Sequence, residues 1–111
     1  MTMQDNPVKL LKGIGATLEV YSDRIVIKRK LLAKLIEGMR GDKSIPLSKI
    51  TSIQFQKATF LISGYIQFSI SGGNESTGGL IDASKDENSV LFASDKNEVA
   101  EKVKTYLESR T

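Results

Sequence analysis

The chain has 111 residues, enough for one domain that buries roughly two-thirds of its unfolded surface. It contains no cysteine and no histidine, which excludes disulfides and thiolate metal sites and removes both the usual general base and the commonest metal ligand. The net charge of +3 is unevenly spread, with eleven Lys/Arg against five Asp/Glu in residues 1–60 and five against eight in residues 61–111. That polarity can steer an acidic partner, yet it is far from the basic stripe of a dedicated nucleic-acid binder.

No apolar run at the start is long enough for a signal peptide, and none elsewhere approaches a membrane span, so a cytoplasmic protein is expected. Residues 1–12 are expected to be a flexible N-terminal segment, and 13–111 one domain. From Thr17 the pattern alternates, with Leu18 and Val20 facing one way and Thr17 and Glu19 the other. Tyr21-Ser22-Asp23-Arg24 reads as a tight turn, because Ser and Asp bond their own backbone. Ile25 and Ile27 then resume the inward face, giving a hairpin.

A short helical segment is expected over 31–39, where Leu31, Leu32, Leu35, Ile36 and Met39 recur at helical spacing among Lys30, Lys34, Glu37 and Arg40. Ile45-Pro46-Leu47 is a short strand, and Pro46 puts it at an edge or a strand end. Ser48-Lys49-Ile50 turns the chain. Thr51, Ile53 and Phe55 alternate with Ser52, Gln54 and Gln56; an irregular stretch covers 58–63; and Gly64 opens a strand with Ile66, Phe68 and Ile70 opposite Tyr65, Gln67 and Ser69. Residues 71–79 form a Gly/Ser/Asn-rich loop, 80–82 a brief strand, and Ser89-Val90-Leu91-Phe92 the last strand. A terminal amphipathic helix follows. Ser94 or Asp95 caps it, Asp95 and Glu98 fit a capping box, and Val99, Val103, Tyr106 and Leu107 make one apolar stripe, with Glu98 and Lys102 paired on the wet side. Strands closed by one terminal helix indicate a mainly β (β+α) fold in which the helix plugs an antiparallel sheet.

The segment Ile45-Pro46-Leu47-Ser48-Lys49-Ile50-Thr51-Ser52-Ile53-Gln54-Phe55 resembles the join between the third and fourth strands in bacterial pleckstrin-homology-like (PH-like) domains. Gly38-Met39-Arg40-Gly41-Asp42-Lys43, Gly64-Tyr65-Ile66-Gln67-Phe68, and Asp86-Glu87-Asn88 with Phe92 resemble an uncharacterised bacterial and phage family of that superfold. The resemblance covers about residues 18–107. It implies a strongly bent antiparallel sheet or partial barrel of about seven strands closed by the C-terminal helix, so that 13–111 is a single PH-like domain. Relatives often carry a further short C-terminal helical module, for which residues up to Thr111 hold no counterpart. The resemblance implies no activity, because this superfold hosts many functions. The lipid-headgroup signature of its eukaryotic members, a roomy basic first hairpin, has only Arg24 beside Asp23 here and is not carried over.

The densest basic cluster is Lys28, Arg29, Lys30, Lys34, Arg40 and Lys43, a candidate patch for phosphates, anionic lipid or an acidic protein. Ordinary solvated charge at a strand end is the plainer reading. Leu31 and Leu35 belong to an apolar stripe that either completes the core or forms a ridge for self-association, partner docking or shallow membrane contact. Asp82, Asp86, Glu87 and Asn88 lack the register of a calcium loop, and Gly72-Gly73 and Gly78-Gly79 precede no phosphate-binding helix. Asn74-Glu75-Ser76 matches a glycosylation sequon without the secretion signal that would make it relevant. Serine, threonine, tyrosine and lysine have no histidine to activate them, and no Ser–Lys pair stands out.

The reading is therefore a non-enzymatic interaction module acting through protein–protein contacts, with an unidentified protein or a second copy as partner and no cofactor or metal. Its candidate surface is Lys28, Arg29, Lys30, Leu31, Lys34, Leu35, Arg40 and Lys43. The alternative is a peripheral binder of anionic surfaces, membrane lipid or nucleic acid, through the basic segment 28–43.

Overall fold

The computed structural model describes residues 6–30, 42–71 and 88–111. Strands β1 (Lys9–Lys12), β2 (Ala16–Val20), β3 (Arg24–Arg29) and β4 (Lys43–Pro46) form one antiparallel meander. Strands β5 (Ile50–Gln56), β6 (Gly64–Ile70) and β7 (Ser89–Phe92) form a second, and helix α1 (Asn97–Arg110) follows them. The fold is thus mainly β with one C-terminal helix, and seven strands lie among the described residues. The sheets are not closed into a barrel. The expected helical segment over 31–39, the loop from 72 onward and the strand at 80–82 lie outside the described residues.

Alternation does the folding in the first sheet. Ala16, Leu18 and Val20 face the core from β2, and Ile25 and Ile27 meet them from β3, all essentially without exposure. The turn between them closes with the Tyr21 N–H donating to the Arg24 carbonyl at 2.8 Å. Strand β4 is the outer strand of this sheet and ends at Pro46, where a missing N–H breaks no inner ladder.

The expectation of a flexible segment over 1–12 is corrected for its last part. Lys9–Lys12 pairs with β2 in the register Leu11↔Leu18, and Leu11 is fully buried. The ladder extends one residue further back, because the Val8 N–H donates to the Val20 carbonyl at 2.7 Å. One buried leucine in a KLLK segment is enough to anchor an edge strand whose other side chains stay in or near solvent.

The two sheets meet at a corner. An isolated antiparallel bridge joins Ile14 to Leu91, with the Ile14 N–H donating to the Leu91 carbonyl at 2.8 Å. Gly13 makes that approach possible, since a Cβ there would strike the Leu91 carbonyl and lie 2.5 Å from Val90 Cγ1. One core results: Leu11, Leu18, Val20, Ile25 and Ile27 from the first sheet, Ile66, Phe68, Val90 and Phe92 from the second, and Ala100, Val103 and Leu107 from α1.

Strand β6 departs from its expected half-polar character. Tyr65, Gln67 and Ser69 alternate with the core residues, yet all three are buried. Part of the reason is position: β6 is the central strand, and Gln67 lies between Gln54 of β5 and Ser89 of β7. Cross-strand neighbours on both sides shield a side chain from water.

The start of α1 also differs from the expected capping box. Residues Ser94–Lys96 make a 3₁₀ turn, the helix begins at Asn97, and no side chain caps it. The apolar stripe is Ala100, Val103 and Leu107, with Tyr106 packed against the core, while Val99 is 37% exposed on the flank. Spacings of three and four residues put 100, 103 and 107 on one stripe, and 99 falls about 75° from its centre. Lys102 and Glu98 do pair on the wet side at 3.6 Å. The stability test follows from this phase. Leu107→Ala should cost about 2–5 kcal/mol in urea unfolding through the cavity it leaves, whereas Val99→Ala should cost well under about 1 kcal/mol. Equal losses would mean that the helix sits in another rotation.

Candidate functional site

Of the candidate surface, Lys28, Arg29, Lys30 and Lys43 are described; Leu31, Lys34, Leu35 and Arg40 lie outside the described residues. All four described residues sit at the end of the first sheet where β3 stops and β4 begins, with Lys43 opposite Ile27. The pleat nevertheless divides them. Arg29 shares the side of Ile25 and Ile27, and Lys43 the side of Ile45, so both belong to the inner face. Lys28 and Lys30 belong to the outer face and are exposed. A run of three basic residues in an extended strand cannot present one patch, because successive side chains point to opposite faces.

Lys28 is further committed to a local network on that outer face. Its ammonium lies 3.4 Å from Glu19 Oε2, and the Tyr21 hydroxyl donates to Glu19 Oε1 at 2.7 Å. Arg24 stacks over the Tyr21 ring at 4.0 Å and pairs with Asp23 at 2.9 Å. Opposite charges are matched here within one hairpin. The hydrogen bond to Glu19 raises the Tyr21 phenol above its ordinary value of 10.0, aided by desolvation and by the carboxylate's charge and opposed by Lys28 and Arg24.

That shift has a definite sign. The folded hairpin favours the protonated phenol, so its contribution is fully present below the ordinary tyrosine range and is lost as pH rises through the raised value. Ultraviolet titration should show one of the three tyrosines ionising later than an unfolded control. Glu19→Gln should bring it back toward the ordinary range.

The exposed apolar side chains concentrate elsewhere, in the loop between β5 and β6. Phe60 is 89% exposed, Leu61 80% and Ile62 49%. This loop is held from below. The Thr59 N–H donates to the Ile62 carbonyl at 2.8 Å, and Thr59 Oγ1 accepts from the N–H groups of Leu61 and Ile62 at 3.2 and 2.9 Å. Beneath it, the Asn97 side-chain amide grips the backbone of Ala58: the Ala58 N–H donates to Oδ1, and Nδ2 donates to the Ala58 carbonyl, each at 2.8 Å. Gly64 closes the base, where a Cβ would clash with the Gln56 carbonyl and with Ala58 N.

Sequence reasoning passed over this loop as merely irregular. The signal was three consecutive apolar residues outside any strand or helix, a pattern that an ordinary surface loop avoids. Among the described residues, no group of three or more acidic, histidine or cysteine side chains could hold a metal ion. A depression of about 380 Å³, open to solvent, runs along α1 past Lys9, Glu98, Glu101, Lys102, Thr105 and Tyr106. A second, about 200 Å³, lies beside the apolar loop and reaches Ala93 and Ser94. Among the described residues, no helix is long and apolar enough to cross a membrane.

Residues 21–108 match the family described as a domain of unknown function, DUF4429. The match spans most of the chain, which therefore belongs to that family. No curated protein and no solved structure matches it significantly.

The loop clamp predicts a stability effect. Ala58 is buried, so Asn97→Ala leaves its N–H and carbonyl without partners, at a cost of about 1–3 kcal/mol for each buried group left unsatisfied. Hydrogen exchange at Ala58, Leu61 and Ile62 should quicken together while the β6 amides keep their protection. A change confined to α1 would mean that Asn97 serves the helix and not the loop.

Proposed function

We propose that this domain is a non-enzymatic, PH-like binding module that works through protein–protein contact, with the Phe60-Leu61-Ile62 loop as its contact point. The observation carrying the reading is the exposure of Phe60 on a loop whose backbone is locked. Apolar side chains on a mobile loop fold back onto the surface; here the turn bonds and the Asn97 clamp hold them outward. An aromatic anchor that is already ordered loses little entropy on binding, which suits an interface centre. The PH-like assignment draws support from the order of elements: a four-stranded and a three-stranded antiparallel meander sharing one core, then a terminal helix packed into it.

A protein partner fits the loop better than a bilayer does. Three apolar residues give shallow insertion at most, and stable anchoring needs a second, electrostatic signal. The nearest lysine in the chain, Lys57, is 3.8 Å from Glu101, so that signal is partly neutralised. The anionic-surface reading through 28–43 is weakened in the same way by the Lys28–Glu19 pair and by the division of the cluster between two faces.

Paired substitutions test the proposal. Phe60→Ser with Leu61→Ser should leave the urea midpoint nearly unchanged, within about 0.5 kcal/mol. Affinity capture from the native cell with mass spectrometry should lose the proteins that the parent retains. An unchanged set of captured proteins refutes the loop. Salt-sensitive binding to anionic vesicles that Lys30→Glu abolishes would favour the surface-binding alternative.

A further inference from the structure

We propose that the edge of β5 left unpaired among the described residues pairs with β5 of a second copy, antiparallel about a twofold axis through Gln54, to make one six-stranded sheet across the dimer. The proposal goes beyond the loop reading and uses none of the loop's side chains.

Sheet edges invite pairing, and stable monomers blunt them with charge, proline or cover. Strand β4 carries Lys43 and Pro46, β1 carries Lys9 and Lys12, and β7 is short and partly covered by Ile14. Strand β5 reads Ile-Thr-Ser-Ile-Gln-Phe-Gln. It is the outer strand of its sheet and holds seven residues without one charge or proline. An irregularity between Ile50 and Ser52 confines regular pairing to 52–56.

The backbone directions in that stretch follow from the neighbouring ladder. The Phe68 N–H donates to the Asn88 carbonyl at 2.9 Å, so Phe68 faces β7 and its neighbours Gln67 and Ser69 face β5. In an antiparallel pair each residue sends both its polar groups to the same side, alternating along the strand. Gln54 and Ser52, opposite Gln67 and Ser69, therefore point inward to β6. Ile53 and Phe55 point their N–H and carbonyl groups away from the sheet, and no described backbone group takes them.

Those directions select a register. Centring the twofold axis on Gln54 sets Ile53 of each copy against Phe55 of the other, and all four polar groups on each strand find partners. Centring it on Ile53 would spend Phe55 on the irregular position at Thr51. The axis also sets Gln54 beside Gln54 of the second copy as a close, non-hydrogen-bonded pair. No like charges stand directly opposite each other in this arrangement, since Lys57 falls opposite Thr51 and Lys49 opposite Thr59. The half-buried side chains of Ile53 and Phe55 gain cover from each other across the new seam. Five residues a side make a small interface, below the roughly 1,200 Å² of stable complexes. The dimer is accordingly weak and reversible, and closure about the twofold stops it growing into a fibre.

Sedimentation over a concentration series should show a monomer–dimer equilibrium for the parent. Gln54→Lys and Gln54→Glu should each lose the dimer, because like charges then face each other across the axis. An equal mixture of the two variants should regain it. In the parent, amide exchange at Ile53 and Phe55 should slow as concentration rises, while exchange at Ser52 and Gln54 stays constant. A parent that remains monomeric at every concentration overturns the proposal, as do variants that dimerise like the parent. Concentration-independent protection of Ile53 and Phe55 also overturns it, because the edge is then covered within one chain. Loss of captured partners in the Phe60 and Leu61 variants with the dimer intact separates this proposal from the loop reading.

Discussion

The fold depends on the corner where the β1–β2 connection crosses β7. Two small antiparallel meanders cannot each bury a core, because every sheet needs a second layer against its apolar face. Here each sheet supplies that layer for the other, and α1 fills the remaining opening with Ala100, Val103 and Leu107. At the crossing Gly13 lies against the Leu91 carbonyl and the Val90 side chain with no room for a side chain of its own, and Ile14 bonds to the same carbonyl. The corner sits ahead of Tyr21, where the family match begins. Leu11, Leu18 and Val20 also precede it, each fully buried, so the matched span is shorter than the unit that folds.

Much of this architecture was legible because alternation is a strong signal where one face is buried. Leu18, Val20, Ile25 and Ile27 read correctly as inward, and so did Ile66 and Phe68. The misreadings share a cause, which is that long-range contacts leave no local trace. Lys9–Lys12 looks polar enough to fray, and only its pairing with β2 shows that Leu11 has a place in the core. Tyr65, Gln67 and Ser69 look like a wet face until neighbours stand on both sides of them. Asn97 resembles an ordinary first-turn residue, and its bond to Ala58, far away in the chain, cannot be guessed from spacing. The sequence locates the helix, but its large apolar residues point to Val99 where Ala100 is the buried neighbour. A small side chain hides a buried position from a search for large apolar ones.

The candidate surface was less legible for a different reason. Charge clusters are read along the chain, whereas partners meet faces. Lys28, Arg29 and Lys30 are adjacent in sequence and divided by the sheet, and Lys28 already has Glu19 beside it on the same face. The apolar loop shows the reverse case. Phe60, Leu61 and Ile62 make a short apolar run, and what the run alone does not tell is that Thr59 and Asn97 hold the backbone around it.

The two proposed contact elements are consecutive in the chain, since β5 ends at Gln56 and the loop clamp begins at Ala58. The geometry gives them different requirements. An edge strand recognises through its backbone and tolerates many sequences, so its specificity must come from register and from the absence of repulsion at Gln54. A locked loop recognises through its side chains, so under the proposal its specificity would lie in the shape of Phe60 and Leu61. The Asn97–Ala58 clamp lies between them and ties both to the first turn of α1. A ligand that pulled on the loop would strain Ala58, and through it the end of β5 next to Gln56. Coupling between self-pairing and partner binding has two routes, along the chain through the clamped Ala58 and from Gly64 across the ladder that pairs β6 with β5.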